Sequence, residues 1–365
     1  MRVLIAGGGT GGHLFPGLAV AEEVTRRDER SVVGFVGTAQ GIEARILPSE
    51  GHDLQLIDVI RLKGGGLLGW AKGLLMLPRA FWQSLSVLRR FRPDVVVGVG
   101  GYASGPVLLV AALTGRRTAV MEQNAVPGFT NRVLGRFVDR VLLTFEQAGD
   151  SFPKRKVRLP GNPVRRSIRD SLLAGAGATP APAPRDGPLR ILIFGGSQGA
   201  RALNQALPGA LGALDRPFEV RHQTGEAGLA QVRQAYAELG IEADTSSFIH
   251  GMAEAYRWCD IAVCRAGATT ICELAVAGVP SILVPFPLAA DDHQTANARA
   301  LVEAGAAESL QQADLGPESL AALLRPFADD RGRLQAMAEA ARAVGRPDAA
   351  GAVVDELEAL ANGPR

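Results

Sequence analysis

The stretch GGGTGGHLFPGLAVAEE, residues 7–23, follows the apolar run RVLIAG and opens an amphipathic segment. An apolar strand, a glycine loop and a helix in that order form the repeating unit of doubly wound α/β sheets, with bare N–H groups at the start of the helix. The device recurs as FGGSQGARALNQALPGAL from residue 194, behind the similar lead-in RILI. Five glycines in six positions exceed the needs of a tight turn. A ligand-facing role is therefore expected for this loop, and for Gly195, Gly196, Ser197 and Gly199 of the second.

Gly7, Gly9 and Gly12 fit the dinucleotide pattern G-x-G-x-x-G, but the next apolar strand, SVVGFVGT, ends in Gly37 and Thr38 where a ribose-binding acid belongs. His13 and Leu14 stand where a P-loop carries Lys and Ser/Thr. The remaining property is general: N–H groups at a helix start suit a phosphate or another anion.

Working outward, RVLIAG, SVVGFVG, VVVGVG, TAVMEQ and RVLLTF, then RILIFGG, FEVRHQTG, IAVCRAG and PSILVPF, alternate with amphipathic segments. Such alternation predicts parallel sheets with crossover helices, and 365 residues predict more than one core. The expected fold class is α/β: two doubly wound Rossmann-like domains facing across a cleft, with ligands outside the carboxyl ends of the strands. Residues 1–163 form the first domain and residues 164–345 the second. Residues 172–190, LLAGAGATPAPAPRDGPLR, read as linker or exposed loop. Within residues 346–365, AAGAVVDELEALANG has helical spacing, and its place against the first domain is open.

Net charge is +2, yet residues 1–163 hold 21 Lys and Arg against 13 Asp and Glu, while the remainder holds 18 against 24. The first half is thus expected to face an anionic partner. Cys259, Cys264 and Cys272 form no Cys-x-x-Cys pair and read as buried reduced thiols. The opening MRVLIAGGG lacks the pattern of a signal peptide, which predicts cytoplasmic residence. Residues 95–115 carry no charge, but glycines and a proline interrupt them. They read as a buried strand, a glycine loop and a helix starting near Pro106 rather than as a membrane span.

After the strand ending in Cys264 comes RAGATTICELAVAGVP. Its small residues let a ligand approach the backbone, and Glu273, about one turn into the next helix, can accept both ribose hydroxyl protons of a nucleotide. Equally, Glu273 can be an N-terminal helix carboxylate favoured by the helix dipole.

With GGGTGGHLFPGLAVAEE, GVGGYASGP, EQNAVPGFTNR, GNPVR, GGSQGARALN and CRAGATTICELAVAGVPSILVPFPLAADDHQTANA in this order, the chain resembles the bacterial MurG family over about residues 1–310. These are peripheral membrane N-acetylglucosaminyltransferases of peptidoglycan synthesis. The resemblance implies a GT-B fold and inverting transfer of GlcNAc from UDP-GlcNAc to the muramoyl 4-hydroxyl of lipid I, giving lipid II. It puts Glu273 on the ribose hydroxyls, Gly196, Ser197 and Gln198 on the pyrophosphate, and Arg165 nearby as a cation. Uracil meets backbone near Ile249 and Met252, and Ala268, Thr269 and Thr270 line the nucleotide pocket. Asn124 and Gln294 belong with the sugar hydroxyls and His293 with the donor, while Thr10, Gly11, Gly12, His13 and Tyr102 face the acceptor and the reaction centre, Thr10, Gly11 and Gly12 also reaching the donor. The family often has two glutamines at His293 and Gln294, and a large apolar residue at Thr269; either departure alters a sugar or base contact. The implied partners are UDP-GlcNAc, lipid I, an anionic membrane surface and proteins of cell-wall synthesis or division, with no nucleic acid. The implied place is the cytoplasmic face of the cell membrane.

Inverting transfer needs a base at the attacking hydroxyl and a stabiliser for the departing diphosphate. N–H groups, a helix dipole and Arg165 can supply the second, and DDH at Asp291 is not an Asp-x-Asp pair, so no metal or other cofactor is expected. His13 is the candidate base, since imidazole titrates near neutrality; orienting the acceptor phosphate and bracing the turn are its other readings. Residues 59–93 contain no acid but Arg61, Lys63, Lys72, Arg79, Arg89, Arg90 and Arg92, with Trp70 and Trp82. Cations draw such a surface to anionic headgroups at about 1 kcal/mol each, and tryptophan settles at the interface. GGGLLGWAKGLLM is the expected inserting loop, with Leu67, Leu68, Trp70, Lys72, Leu74 and Leu75 outward, while Leu77, Phe81, Leu85 and Leu88 pack inward.

Overall fold

The computed structural model describes residues 1–59, 66–174, 187–196 and 199–363, with the side chains of residues 66–75 outside the description. The chain divides into two compact units, one of residues 1–166 with 347–365, the other of residues 167–346.

In the first unit the strands are β1 (Arg2–Gly7), β2 (Val32–Gly37), β3 (Leu54–Leu56), β4 (Val95–Gly100), β5 (Arg117–Glu122), β6 (Arg140–Leu143) and β7 (Val157–Arg158). They pair in parallel in the order β3-β2-β1-β4-β5-β6-β7. In the second unit β8 (Leu189–Phe194), β9 (Phe218–Gln223), β10 (Asp244–Ser246), β11 (Ile261–Cys264), β12 (Ser281–Leu283) and β13 (Ala307–Ser309) pair in parallel as β10-β9-β8-β11-β12-β13. Both orders reverse beside the first strand of the unit, at β1/β4 and at β8/β11. A doubly wound sheet opens a crevice at such a reversal, outside the carboxyl ends of the strands. The two glycine loops sit at these two points because each follows the strand beside the reversal.

The helices are α1 (Gly11–Arg27), α2 (Glu43–Ser49), α3 (Gly66–Phe91), α4 (Ser104–Leu113), α5 (Phe129–Leu134), α6 (Arg166–Ala174), α7 (Arg201–Gly212), α8 (Leu229–Glu238), α9 (Met252–Trp258), α10 (Ala268–Ala277), α11 (His293–Glu303), α12 (Pro317–Asp329), α13 (Arg331–Val344) and α14 (Ala349–Asn362). Val95, Val96 and Val97 are fully buried in β4, and the uncharged run of residues 95–115 resolves into that strand, a glycine turn and the ten-residue α4, which starts two residues before Pro106. Among the described residues no helix is long and apolar enough to cross a membrane.

Helix α14 belongs to the first unit. Val353, Val354, Leu357 and Leu360 share a core with β1 and with Leu14, Leu18 and Val24 of α1. At its rim the Arg27 guanidinium donates to Asp355 at 2.6 Å and to the Gly351 carbonyl at 3.0 Å. Glu23, bridged by Arg26 and Arg27, is held well below the ordinary carboxylate range, at about 2, chiefly by its hydrogen bond from Arg26.

Two expectations need correction. The inserting loop is helical from Gly66, because Leu, Ala, Lys and Met hold helical geometry at modest cost from isolated glycines. The side chains of Leu67, Leu68, Trp70, Lys72, Leu74 and Leu75 lie outside the described residues, as do Arg61 and Lys63. The expected linker is shorter than residues 172–190: α6 runs through Ala174 and β8 begins at Leu189, with residues 175–186 outside the description. Leu172 is a buried residue of α6, so the start of that stretch belongs to the helix.

Candidate functional site

At the first reversal point, β1 runs into a loop at positive φ: +145° at Gly7, +140° at Gly8 and +87° at Gly9. A Cβ on Gly7 would strike the Gly100 carbonyl, so the loop lies directly on the second glycine turn after β4. The Gly8 N–H donates to that carbonyl at 3.2 Å, and the Gly9 N–H donates to a Glu43 carboxylate oxygen at 2.6 Å. The first half of the loop is therefore committed to the protein itself. Beyond it the Cβ side of Gly9 faces open space, Gly11 packs against the Phe15 ring, and Gly11 and Gly12 occupy the first turn of α1, where N–H groups have no intrahelical acceptor. Thr10 caps α1 from extended geometry without a capping bond from its side chain, and both Thr10 and Gly12 are exposed.

His13 follows in the same turn and is half-buried. Its Nδ1 lies 3.3 Å from Oε1 of Gln123, whose Nε2 donates to the Val99 carbonyl at 3.1 Å. Because that carbonyl can only accept, the Gln123 amide presents oxygen to the ring. The neutral imidazole therefore carries its proton on Nδ1, which leaves the lone pair on Nε2. Gln123 is 2% exposed and was missed as a site residue; its place in EQNAVPGFTNR was the available signal. Beside it, the buried Glu122 carboxylate accepts from Asn124 N at 3.0 Å, Asn124 Nδ2 at 3.3 Å, Gly128 N at 3.1 Å and Asn131 Nδ2 at 2.8 Å. These bonds orient the Asn124 amide. Arg165 stacks its guanidinium on the Phe15 ring of α1, 4.5 Å from the centroid. Tyr102, 40% exposed, borders an apolar cavity of about 230 Å³ formed with Met76, Leu77 and Phe81 of α3 and Phe129 of α5.

In the second unit Gly195, Gly196 and Gly199 lead from β8 to α7, while Ser197 and Gln198 lie outside the described residues. The pattern of the first loop repeats: a Cβ on Gly199 would run into the Thr224 carbonyl, whereas Gly196, at φ +87°, has nothing within 4 Å. The Gly195 N–H is taken by Gln223 at 3.3 Å. Behind the loop, Asn204 Nδ2 donates to the Thr224 carbonyl, and its Oδ1 meets His222, whose other nitrogen meets the Tyr236 hydroxyl. Burial pushes the pKa of His222 down to about 3, so it stays neutral in the fold. The unfolded chain takes up that proton near pH 6.5, so stability is complete above this pH and is lost as pH falls toward 3. At pH 5 the loss is about 2 kcal/mol. Thermal unfolding at pH 7.5 and pH 5 should show a drop that shrinks in His222→Asn.

Helix α10 begins at Ala268, so Thr269 and Thr270 lie in its first turn and Glu273 beyond it. Glu273 stands about one turn in, where the sequence places it. Its carboxylate, 6% exposed, accepts the Tyr256 hydroxyl at 2.9 Å. The Tyr256 phenol is pushed well up, first by burial and then by Glu273. Tyr256 itself was not singled out, because its neighbourhood to Glu273 arises only when α9 and α10 pack. Thr269 Oγ1 is buried without a hydrogen-bond partner among the described residues, so the residue that departs from the family pattern carries an unused polar atom. Gln294 spends its amide oxygen on Phe286 N at 2.9 Å and presents its NH2; His293 Nδ1 is 2.7 Å from the Ala290 carbonyl. Ile249 and Met252 flank the start of α9, both half-buried. Arg265 holds the carbonyls of Val284 and Pro285 and the Gln312 amide, tying the ends of β11 and β12. Among the described residues, no three His, Cys, Asp or Glu side chains gather as a metal set.

Residues 3–143 match the glycosyltransferase family 28 N-terminal domain and residues 190–353 its C-terminal domain. The chain is 51% identical to a UDP-N-acetylglucosamine–N-acetylmuramyl-(pentapeptide) pyrophosphoryl-undecaprenol N-acetylglucosamine transferase of Myxococcus xanthus, over 97% of this chain and 92% of the relative. It is 52% identical, with the same coverage, to the protein of that name from Anaeromyxobacter sp.. Among solved structures it is similar to the MurG of Acinetobacter baumannii, with TM-score 0.81, 35% identity and coverage of 98% of this chain and 99% of that one. Both halves of the family pattern lie on the two glycine-loop units in order, and the chain belongs to glycosyltransferase family 28.

Proposed function

We propose that the chain transfers GlcNAc from UDP-GlcNAc to the 4-hydroxyl of the muramoyl sugar of undecaprenyl-pyrophosphoryl-MurNAc-pentapeptide, with inversion at the anomeric carbon. Identity of about one half over nearly the whole length to transferases named for this reaction carries the reading. The acceptor oxygen attacks C1 of the GlcNAc, the bond from C1 to the β-phosphate oxygen breaks, and UDP leaves with that electron pair. The hydroxyl proton goes to Nε2 of His13, the nitrogen that the Gln123 contact leaves basic. The first unit serves the acceptor, whose diphosphate meets the open N–H groups of Gly11 and Gly12. The second unit serves the donor: Glu273 takes the ribose hydroxyls, the turn of Gly196, Ser197 and Gln198 takes the diphosphate, and Ala268, Thr269 and Thr270 line the pocket. Ile249 and Met252 meet the uracil, and Asn124, His293 and Gln294 the sugar, with Arg165 as a cation for diphosphate. No metal is used, since fixed N–H groups and helix dipoles stabilise developing charge without reorganising. Association with the cytoplasmic face of the membrane is supported by α3, where Trp82 is 71% exposed beside the exposed cations Arg79, Arg89 and Arg90. Partners among cell-wall synthesis or division proteins fit that location.

Labelled GlcNAc supplied as UDP-GlcNAc to a short-chain lipid I analogue, with and without EDTA, tests this. The disaccharide product is expected in both. Appearance of only UDP with free sugar or its epimer would replace the transferase by a hydrolase or epimerase; product only without EDTA would reinstate a metal.

A further inference from the structure

Glu43, 1% exposed, has no part in the chemistry described above, yet three backbone segments are built around it. One carboxylate oxygen accepts the Gly9 N–H at 2.6 Å; the other accepts the Thr38 N–H at 2.9 Å and the Thr38 hydroxyl at 3.0 Å. A Cβ on Gly8, Gly37 or Gly41 would run into this side chain, so all three glycines leave room for one carboxylate. Its bonds come from two N–H groups and one hydroxyl. Burying a carboxylate costs several kcal/mol in general unless such bonds offset it, so a carboxylate placed here points to the loop it holds.

We propose that Glu43 is a positioning residue for glycosyl transfer, clamping Gly9 so that the N–H groups of Gly11 and Gly12 and the His13 ring stand where the acceptor needs them. This rests on the reading that the first glycine loop serves the acceptor. Both oxygens of Glu43 accept, and a carboxamide has only one acceptor oxygen. In E43Q the two Thr38 bonds retain that oxygen, the NH2 faces the Gly9 N–H, and the loop is released.

The experiment compares wild type, E43Q, E43D and T38A by transfer kinetics on a lipid I analogue, UDP calorimetry, thermal unfolding and amide exchange. E43Q and E43D are expected to lower kcat/KM for the acceptor about 10- to 100-fold, as small misplacements of a site do. Amide exchange should accelerate in residues 8–13, with UDP affinity unchanged. T38A, which thins the same bond set without touching Gly9, should transfer at near the wild-type rate. Wild-type transfer and exchange in E43Q overturn the proposal, as does a loss shared equally by T38A in step with unfolding temperature. If E43Q does not fold, E43D decides by the same readouts, because it keeps the charge and shortens the reach by one carbon. If wild type itself transfers nothing to the analogue, the acceptor reading fails while exchange at residues 8–13 still judges Glu43.

Discussion

His13→Ala is expected to lower kcat for transfer by about 10²- to 10⁴-fold, the usual worth of a positioned general base. The ring stands in the first turn of α1 with Nδ1 turned to a glutamine amide oxygen, so the basic nitrogen is the one facing away from the protein amide. A substrate-orienting histidine would raise the acceptor KM and leave the acidic limb of the kcat profile in place. A base removes that limb together with the rate. His13 is only half-buried, and its replacement should move the unfolding temperature little. A near-normal rate with an unchanged acidic limb would assign His13 to bracing the turn instead.

The second large effect falls on Glu273. On the proposed role, replacing it by Ala removes the acceptor of two ribose hydroxyl protons, and hydrogen bonds to a charged group are worth about 1.5–3 kcal/mol each. UDP affinity measured by calorimetry should therefore fall by about 10²- to 10⁴-fold. The same change strands the buried Tyr256 hydroxyl, at about 1–3 kcal/mol of stability. Glu273→Gln keeps one acceptor and separates the two effects: affinity should drop about 10- to 100-fold with little change in unfolding temperature. Tyr256→Phe, which removes only the brace, should bind UDP within tenfold of wild type. If Glu273→Gln binds UDP as wild type does, the Glu273–Tyr256 pair is structural alone.

The strands flanking the two reversal points were legible because each reads as an apolar run: β4 and β11 are buried throughout, and β1 and β8 at all but one arginine. β3, β7, β10 and β13 were not. They are two or three residues long and lie at the four sheet edges, where half-exposure allows LQL, VR, DTS and AES and leaves no period to detect. In the site, Glu273 and His13 stood out by residue type and position. Gln123, Tyr256 and Glu43 did not, since each acts on a partner far along the chain: 110 residues for Gln123 and His13, 34 for Glu43 and Gly9.

The sequence by itself determined two glycine-loop α/β units, the family to which they belong and the residues that can carry charge or a proton. Those are properties of local pattern, readable from buried runs, glycine spacing and side-chain chemistry. Tertiary structure alone decided which glycines are spent on packing and which face open space. It also chose the imidazole nitrogen that keeps its lone pair, and showed that a buried glutamate lies under the first loop. Each depends on strands meeting in register and on one buried polar group having to find another, and such pairing is encoded in contacts across the fold rather than along the chain.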